Sequence, residues 1–147
     1  MISLREGPDL DLAALSALRV CCAFSAQTPD FLARQIAGTR WVVHAYDGER
    51  LIGFARALSD GVATAYVGSV MVDPDYRRRG VGRALLAAAA EWGREHGIEK
   101  LELHVFPWNE GAIALYEAVG FRREGYRARH YLRDDGYADA ILMALDI

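Results

Sequence analysis

The sequence predicts an α/β (α+β) fold, a central mixed and mostly antiparallel sheet flanked by helices, and three observations carry that prediction. Strand-like runs at Trp41 to Tyr46, Leu51 to Leu58 and Ala63 to Val72 are joined through Asp47-Gly48 and Asp60-Gly61, dipeptides that favour hairpins and hence an antiparallel meander. From Val81 the apolar period changes: Val81, Leu85, Ala88, Ala89 and Trp92 recur at helical spacing, and Gly97 closes that helix. Leu101 to Phe106 then alternates as a strand. Because a helical crossover separates it from the last meander strand, it should run parallel to that strand.

The other elements follow in order. An opening strand is expected near Ile2 to Arg5. Pro8 and Asp9 can start a first helix with Leu15, Leu18 and Cys22 on one face, and Thr28-Pro29-Asp30 can start a second that ends near Gly38. Asn109 to Val119 reads as a helix ended by Gly120, and Phe121 to Leu132 with Ala138 to Asp146 reads as a final strand pair. Nothing repeats and no linker interrupts the pattern, so one domain is expected over residues 1–147. A chain of that size buries about 68–70% of its unfolded surface without disulfides or metal.

Composition narrows the function classes. The chain is 52% apolar and 25% charged, with a net charge of -3, a balance that argues against broad nucleic-acid binding. Cys21 and Cys22 are adjacent, too close for an unstrained bridge and unlike any metal-ligand spacing; they read as reduced core residues of a cytoplasmic protein with no metal. Neither a secretory leader nor a membrane span is expected, since no apolar run is long enough.

The most informative segment is Arg77-Arg78-Arg79-Gly80-Val81-Gly82, set between the strand-like Val70 to Val72 and an alanine-rich helix. Arginines and glycines at a helix entrance suit an anion, because glycines let backbone N–H groups approach a ligand and the helix start adds unpaired donors. A Walker A loop would end in Gly-Lys-Ser/Thr, but Gly82 is followed by Arg83 and Ala84. A dinucleotide fingerprint fails because Leu85 stands where the third glycine belongs and Asp73 to Arg79 separate the strand from the glycines.

These residues resemble the GCN5-related N-acetyltransferase (GNAT) family over essentially the whole chain. Val70-Met71-Val72-Asp73-Pro74-Asp75-Tyr76 leads into Arg77, Gly80 and Gly82, which match the family's [Q/R]-x-x-G-x-[G/A] pyrophosphate loop. Asn109, Ala112, Leu115, Tyr116, Gly120 and Phe121 match its N-x-x-A-x-x-L-Y-x-x-x-G-F segment at every named position. The resemblance implies the GNAT acyl-CoA N-acyltransferase fold, with acetyl-CoA as cosubstrate in a gap where the central strand and the Leu101 strand splay apart. On that implication Arg77, Arg78, Arg79, Gly80, Val81 and Gly82 hold the pyrophosphate, backbone groups of Met71 and Val72 hold the pantetheine and thioester, and Asn109 contacts the cofactor arm. Asn109 also suits the N-cap of its helix, and the two roles are compatible.

The implied reaction is direct attack by a primary amine in a ternary complex. Tyr116 is the expected acid for the leaving thiolate, a phenol near pKa 10 facing a thiol near 8.5. The family's frequent carboxylate on the central strand has no counterpart, because Ala65 to Val72 offers only Tyr66 and Ser69 as polar residues. His104 sits where some relatives place a glutamate, on the face shared by Glu102 and Phe106, and reads equally as a base and as a solvated strand histidine. The acceptor is a small amine, an amino-acid-like molecule or a peptide amine, selected by Phe24 to Phe31 and by Tyr126 to Tyr137, where Asp134 and Asp135 suit either a cation or a solvated tip. Pairing into a homodimer through strand edges is compatible with the pattern. A non-catalytic acyl-CoA-binding or sensory module on the same fold is the alternative.

Overall fold

The computed structural model describes residues 1–147 and contains one seven-stranded sheet with helices on both faces. In chain order the elements are β1 (Ile2–Glu6), α1 (Leu12–Cys21), α2 (Pro29–Ala37), β2 (Trp41–Asp47), β3 (Arg50–Leu58), β4 (Thr64–Val72), α3 (Val81–Glu95), β5 (Lys100–Val105), α4 (Glu110–Val119), β6 (Arg122–Arg133) and β7 (Gly136–Asp146). Across the sheet the order is β1-β2-β3-β4-β5-β7-β6, with β4 and β5 as the parallel pair.

Local chemistry explains most boundaries. Thr28 caps α2 through Oγ1, which accepts from the Phe31 N–H at 3.2 Å, and Pro29 occupies the first turn as expected. The start of α1 is later than Pro8 and Asp9 predict. Asp11 is its cap, with Oδ1 accepting from the N–H groups of Ala13 at 2.9 Å and Ala14 at 3.2 Å. Gly120 ends α4 in the left-handed region at φ 117°, and the Phe121 N–H bonds back to the Tyr116 carbonyl at 2.9 Å.

Two cores sit on opposite sheet faces. One packs Val81, Leu85, Leu86, Ala89 and Trp92 of α3 and Ile113 and Tyr116 of α4 against Val43, Ile52, Val67, Leu101 and Leu103. The other packs Leu15, Leu18, Leu32 and Ile36 of α1 and α2 against Val42, Phe54 and Met71. Only one of the cysteines reaches a core: Cys22 packs against the second one. Cys21, the last residue of α1, is exposed, and Cys22, its C-cap, is half-buried. No helix is long and apolar enough to cross a membrane.

Candidate active site

The sheet opens where β4 and β5 part. Their register runs only through Thr64↔Lys100, Ala65↔Leu101 and Tyr66↔Glu102, although β4 continues to Val72 and β5 to Val105. Over its remaining length β5 stays paired with β7, so the cleft lies between β4 and β5 alone. Part of the cause is in β4: Arg56↔Gly68 and Phe54↔Met71 leave one extra residue on β4, and Ser69 takes φ 52°. Such a bulge bends the strand and raises its local twist.

Past the bulge, alternation decides which backbone groups face the gap. The Asp73 N–H donates to the Ile52 carbonyl at 2.8 Å, so Met71, two residues earlier and opposite Phe54, also directs its N–H and C=O at β3. Its side chain is 2% exposed in the core under α1. The expectation that Met71 offers backbone groups to a ligand is therefore corrected: adjacent strand residues point oppositely, and those of Val72, with Val70 by the same alternation, face the gap. The Cys22 thiol reaches the Val72 carbonyl at 3.3 Å.

The basic loop closes one end of the cleft. Arg50 bonds Asp73 at 2.9 Å, and Asp73 accepts from the Asp75 N–H at 2.9 Å. The Tyr76 hydroxyl donates to Asp47 at 2.6 Å, tying the loop to the end of β2. Arg78 at φ 62° and Gly80 at φ 80° are left-handed, which turns successive N–H groups toward one side. No side chain caps α3, and its first helical bond runs from the Ala84 N–H to the Gly80 carbonyl, so the Val81, Gly82 and Arg83 N–H groups lack intrahelical acceptors. This donor set, with Arg77 to Arg79 beside it, suits an anionic phosphate, and the unpaired edge of β4 suits an extended polar arm.

The two glycines have different work. A Cβ on Gly80 would meet nothing within 4 Å, and its positive φ is what requires glycine. A Cβ on Gly82 would stand 2.7 Å from Leu115 Cδ2, so this glycine lets α3 approach α4. Val81 is buried and offers only its backbone.

Tyr116 projects from α4 into the core beside the gap, with Tyr66 across it, a phenol whose pKa is raised by burial and by its bond to Tyr131 and only slightly by Tyr116. Burial pushes the Tyr116 phenol up to about 12, and no hydrogen bond contributes. Asn109 caps α4, its Oδ1 accepting from the Ala112 N–H at 3.2 Å. His104 lies on the opposite face of the sheet, as the alternation of β5 predicts, within an aromatic cluster. Its ring is 4.9 Å from Tyr66 and 4.6 Å from His130. Burial, and then the charges of His130 and Arg127, lower its pKa to about 4. Its Nδ1 is the one buried side-chain polar atom without a partner, so Nε2 is the nitrogen that a ligand can reach.

A break in the terminal hairpin brings the other cluster members inward. Arg127↔Ala140 and Tyr131↔Ala138 leave three residues of β6 opposite Asp139, whose carboxylate accepts from the Arg129 N–H at 2.8 Å and the Tyr126 hydroxyl at 2.5 Å. Tyr131 meets the Tyr66 hydroxyl at 3.3 Å, and Phe106 stacks on Trp108 at 4.6 Å. Asp134 and Asp135 stay at the exposed tip, outside the cluster. A depression of about 460 Å³ lies elsewhere, lined by residues such as Glu6, Trp41 and Glu91 on β1, β2 and α3, and it holds none of these groups.

A family model described as acetyltransferase (GNAT) matches residues 12–121, most of the chain. The chain belongs to the GNAT acetyltransferase family. Over 79 residues it is 46% identical to the [ribosomal protein bS18]-alanine N-acetyltransferase of Escherichia coli (strain K12), a match covering 54% of this chain and 53% of that relative. The chain thus spans about half the length of the curated relatives it matches most strongly. It is also 39% identical over 107 residues to the N-alpha-acetyltransferase RimI of Mycobacterium tuberculosis, covering 71% of this chain and 65% of that one. Among GNAT structures, the ribosomal-protein-S18-alanine N-acetyltransferase from Escherichia coli aligns with TM-score 0.85 at 30% identity, covering 100% of this chain and 94% of that chain. Arabidopsis thaliana NAA60 in complex with a bisubstrate analogue aligns with TM-score 0.88 at 23% identity, covering 100% and 98%, a likeness of fold. The mixed sheet with helices on both faces is the GNAT fold that the sequence predicts.

Proposed function

We propose that this chain transfers an acetyl group from acetyl-CoA to the α-amine of a peptide or protein N-terminus. The observation that carries this reading is the cleft between β4 and β5, bounded by the donor loop at Gly80 and flanked by Tyr116 and His104. On this reading Arg77, Arg78 and Arg79 with the N–H groups of Gly80, Val81 and Gly82 receive the pyrophosphate. The Val72 and Val70 backbone pairs with the pantetheine, and the Asn109 amide nitrogen is left for the cofactor arm. The α-amine rests on the two relatives whose names specify alanine or N-alpha acetylation.

In the reaction the amine nitrogen attacks the thioester carbonyl carbon, the C–S bond breaks, one proton leaves the nitrogen and one reaches sulfur. Tyr116 stays protonated throughout the neutral range. Complete proton transfer from a phenol at about 12 to a thiolate at about 8.5 is uphill by about 5 kcal/mol, so Tyr116 works first as a hydrogen-bond donor to sulfur. The same dry gap raises the basicity of the thiolate and narrows that difference. His104, neutral at physiological pH, faces the acceptor side and receives the amine's proton at Nε2 through water.

No nucleic acid takes part on this reading, and β1 and β6 are the sheet edges through which a homodimer would pair. Release of free thiol from acetyl-CoA in the presence of N-terminal peptides, lysine peptides and small amines tests the activity. Acetyl-CoA binding with no thiol release for any amine would instead establish the non-catalytic module, which the absence of a carboxylate base favours.

A further inference from the structure

Two arginines beside the cleft, one buried and one half-buried, have no counter-ion. Arg19 is 7% exposed, its Nε donating to the Ser25 carbonyl at 3.0 Å. Arg56 is half-buried on β3, its Nε donating to Ser69 Oγ at 3.0 Å and Nη1 reaching Thr39 Oγ1 at 3.4 Å. All these partners are neutral. The chain's ion pairs are made by the N-terminus, Arg50, Lys100, Arg122 and Arg123, and none involves Arg19 or Arg56. Burial lowers the basicity of both guanidiniums, and the charge of Arg56 lowers that of Arg19 further. A buried charge is costly unless an opposite charge meets it, and arginine does not escape by losing its proton.

Position ties this pair to the acceptor. Arg56 shares the α1 and α2 face of the sheet with Phe54, and a Cβ on Gly68 would lie 3.7 Å from Arg56 Nη2 and 3.0 Å from the Tyr66 ring. The guanidinium therefore lies against the β4 bulge, beside Tyr66, which contacts His104. No hydrogen-bonding partner within the chain occupies Nη2 of Arg56 or either Nη of Arg19, and none of these atoms is sealed from solvent.

We propose that Arg56, with Arg19 behind it, is an anion-recognition subsite that selects an acceptor carrying a carboxylate a few bonds from its reacting amine. This inference rests on the acetyl-transfer reading and adds the acceptor's charge to it. A guanidinium matches a carboxylate with two parallel N–H bonds, and such charge-assisted bonds discriminate against an isosteric amide by about tenfold or more. The carboxylate can come from an acidic side chain near a peptide N-terminus or from the α-carboxylate of a free amino acid.

The test measures kcat/KM for peptides beginning Ala-Asp and Ala-Glu against Ala-Asn and Ala-Gln, with free alanine and alaninamide as the second arm. The expected result is at least a tenfold preference for the acidic member of one arm, which also names the source. The ratio should collapse toward one in Arg56→Gln and be partly kept in Arg56→Lys, each checked for an unchanged melting temperature. Transfer to all acceptors with ratios within twofold overturns the subsite and leaves the acetyl-transfer reading standing. If no acceptor releases thiol, that reading falls, and calorimetric affinities of the same pairs then decide the subsite: equal affinities overturn it and a tenfold difference upholds it.

Discussion

Gly82→Ala separates packing from ligand approach in the Gly-x-Gly pair. The added Cβ would stand 2.7 Å from Leu115 Cδ2, where ordinary carbon contacts lie at about 3.5–4.0 Å. Leu115 packs against the core but is only partly buried, so its far end gives way at a cost near the low end of the 1–3 kcal/mol typical of overpacking, about 1–2 kcal/mol. Against that stands a gain in helix propensity of up to about 1 kcal/mol for replacing glycine, less in a first turn. Gly82→Ala alone should therefore destabilise by about 1 kcal/mol, a melting shift of about 2–4 °C at this chain length.

The sign should reverse in a Leu115→Ala background, where the obstruction is gone and the propensity gain remains. The expected coupling is about 1–2 kcal/mol, read by urea or thermal unfolding of the four variants. Gly80→Ala is the control. It meets no atom, but it holds φ 80° at about 1 kcal/mol, which Leu115→Ala should not relieve. If its loop relaxes instead, the N–H donors turn away and acetyl-CoA affinity falls by about tenfold, the worth of one charge-assisted bond. Equal effects of Gly82→Ala in both backgrounds, with lost acetyl-CoA affinity, would refute the packing argument and make room for the ligand the reason for a glycine at 82.

Tyr116→Phe should lower kcat by about a hundredfold with little change in acetyl-CoA affinity, measured by thiol release and calorimetry; unchanged turnover removes its role. Asn109→Ala should cost α4 about 1 kcal/mol of capping, whereas Asn109→Ser keeps the cap, so a raised acetyl-CoA KM in the serine variant isolates the cofactor contact. His104 has a folded pKa of about 4, below the roughly 6.5 of the unfolded chain, so the unfolded state takes up its proton first as pH falls. Its contribution is constant above pH 6.5 and is lost as pH falls toward 4. After discounting for solvent screening, the stability gap between the protein and His104→Gln should narrow by about 1–2 kcal/mol from pH 7.5 to 4.5, and a pH-independent gap would contradict that environment.

The elements were legible because each carries a short-range signal. Asp47-Gly48 turns the β2–β3 hairpin, Thr28-Pro29 starts α2, Gly120 stops α4, and Leu101, Leu103 and Val105 alternate with His104 on β5. What sequence missed depends on pairing between distant segments. The bulge at Gly68 and Ser69 is a property of the β3–β4 register, and that register decides that Val72, not Met71, turns its backbone to the cleft. Gly82 meets Leu115 on α4, a contact no local motif announces. The break at Arg127 to Tyr131 likewise depends on β7, and it brings His130 and Tyr131 against the cluster. Arg56 did leave a trace, as a lone charge inside the otherwise apolar run Leu51 to Leu58.

The character of His104 bears on which amine this site can serve. At pH 7.4 an α-amine with pKa near 8 needs only about 1 kcal/mol to become neutral, whereas a lysine near 10.4 needs about 4 kcal/mol. An imidazole held at about 4 cannot collect either proton cheaply: transfer from a resting α-ammonium is uphill by about 5 kcal/mol and from a lysine ammonium by about 9 kcal/mol. To accept at Nε2, moreover, the ring has to keep its proton on the sealed Nδ1, where no acceptor waits, at a cost of about 1–3 kcal/mol. His104 is therefore suited to receive a proton only after attack has made the nitrogen acidic, and the amine has to arrive neutral. With no carboxylate on Ala65 to Val72 to share that task, the proposed α-amine acceptor reaches its neutral form at neutral pH at a lower cost than a lysine by about 3 kcal/mol.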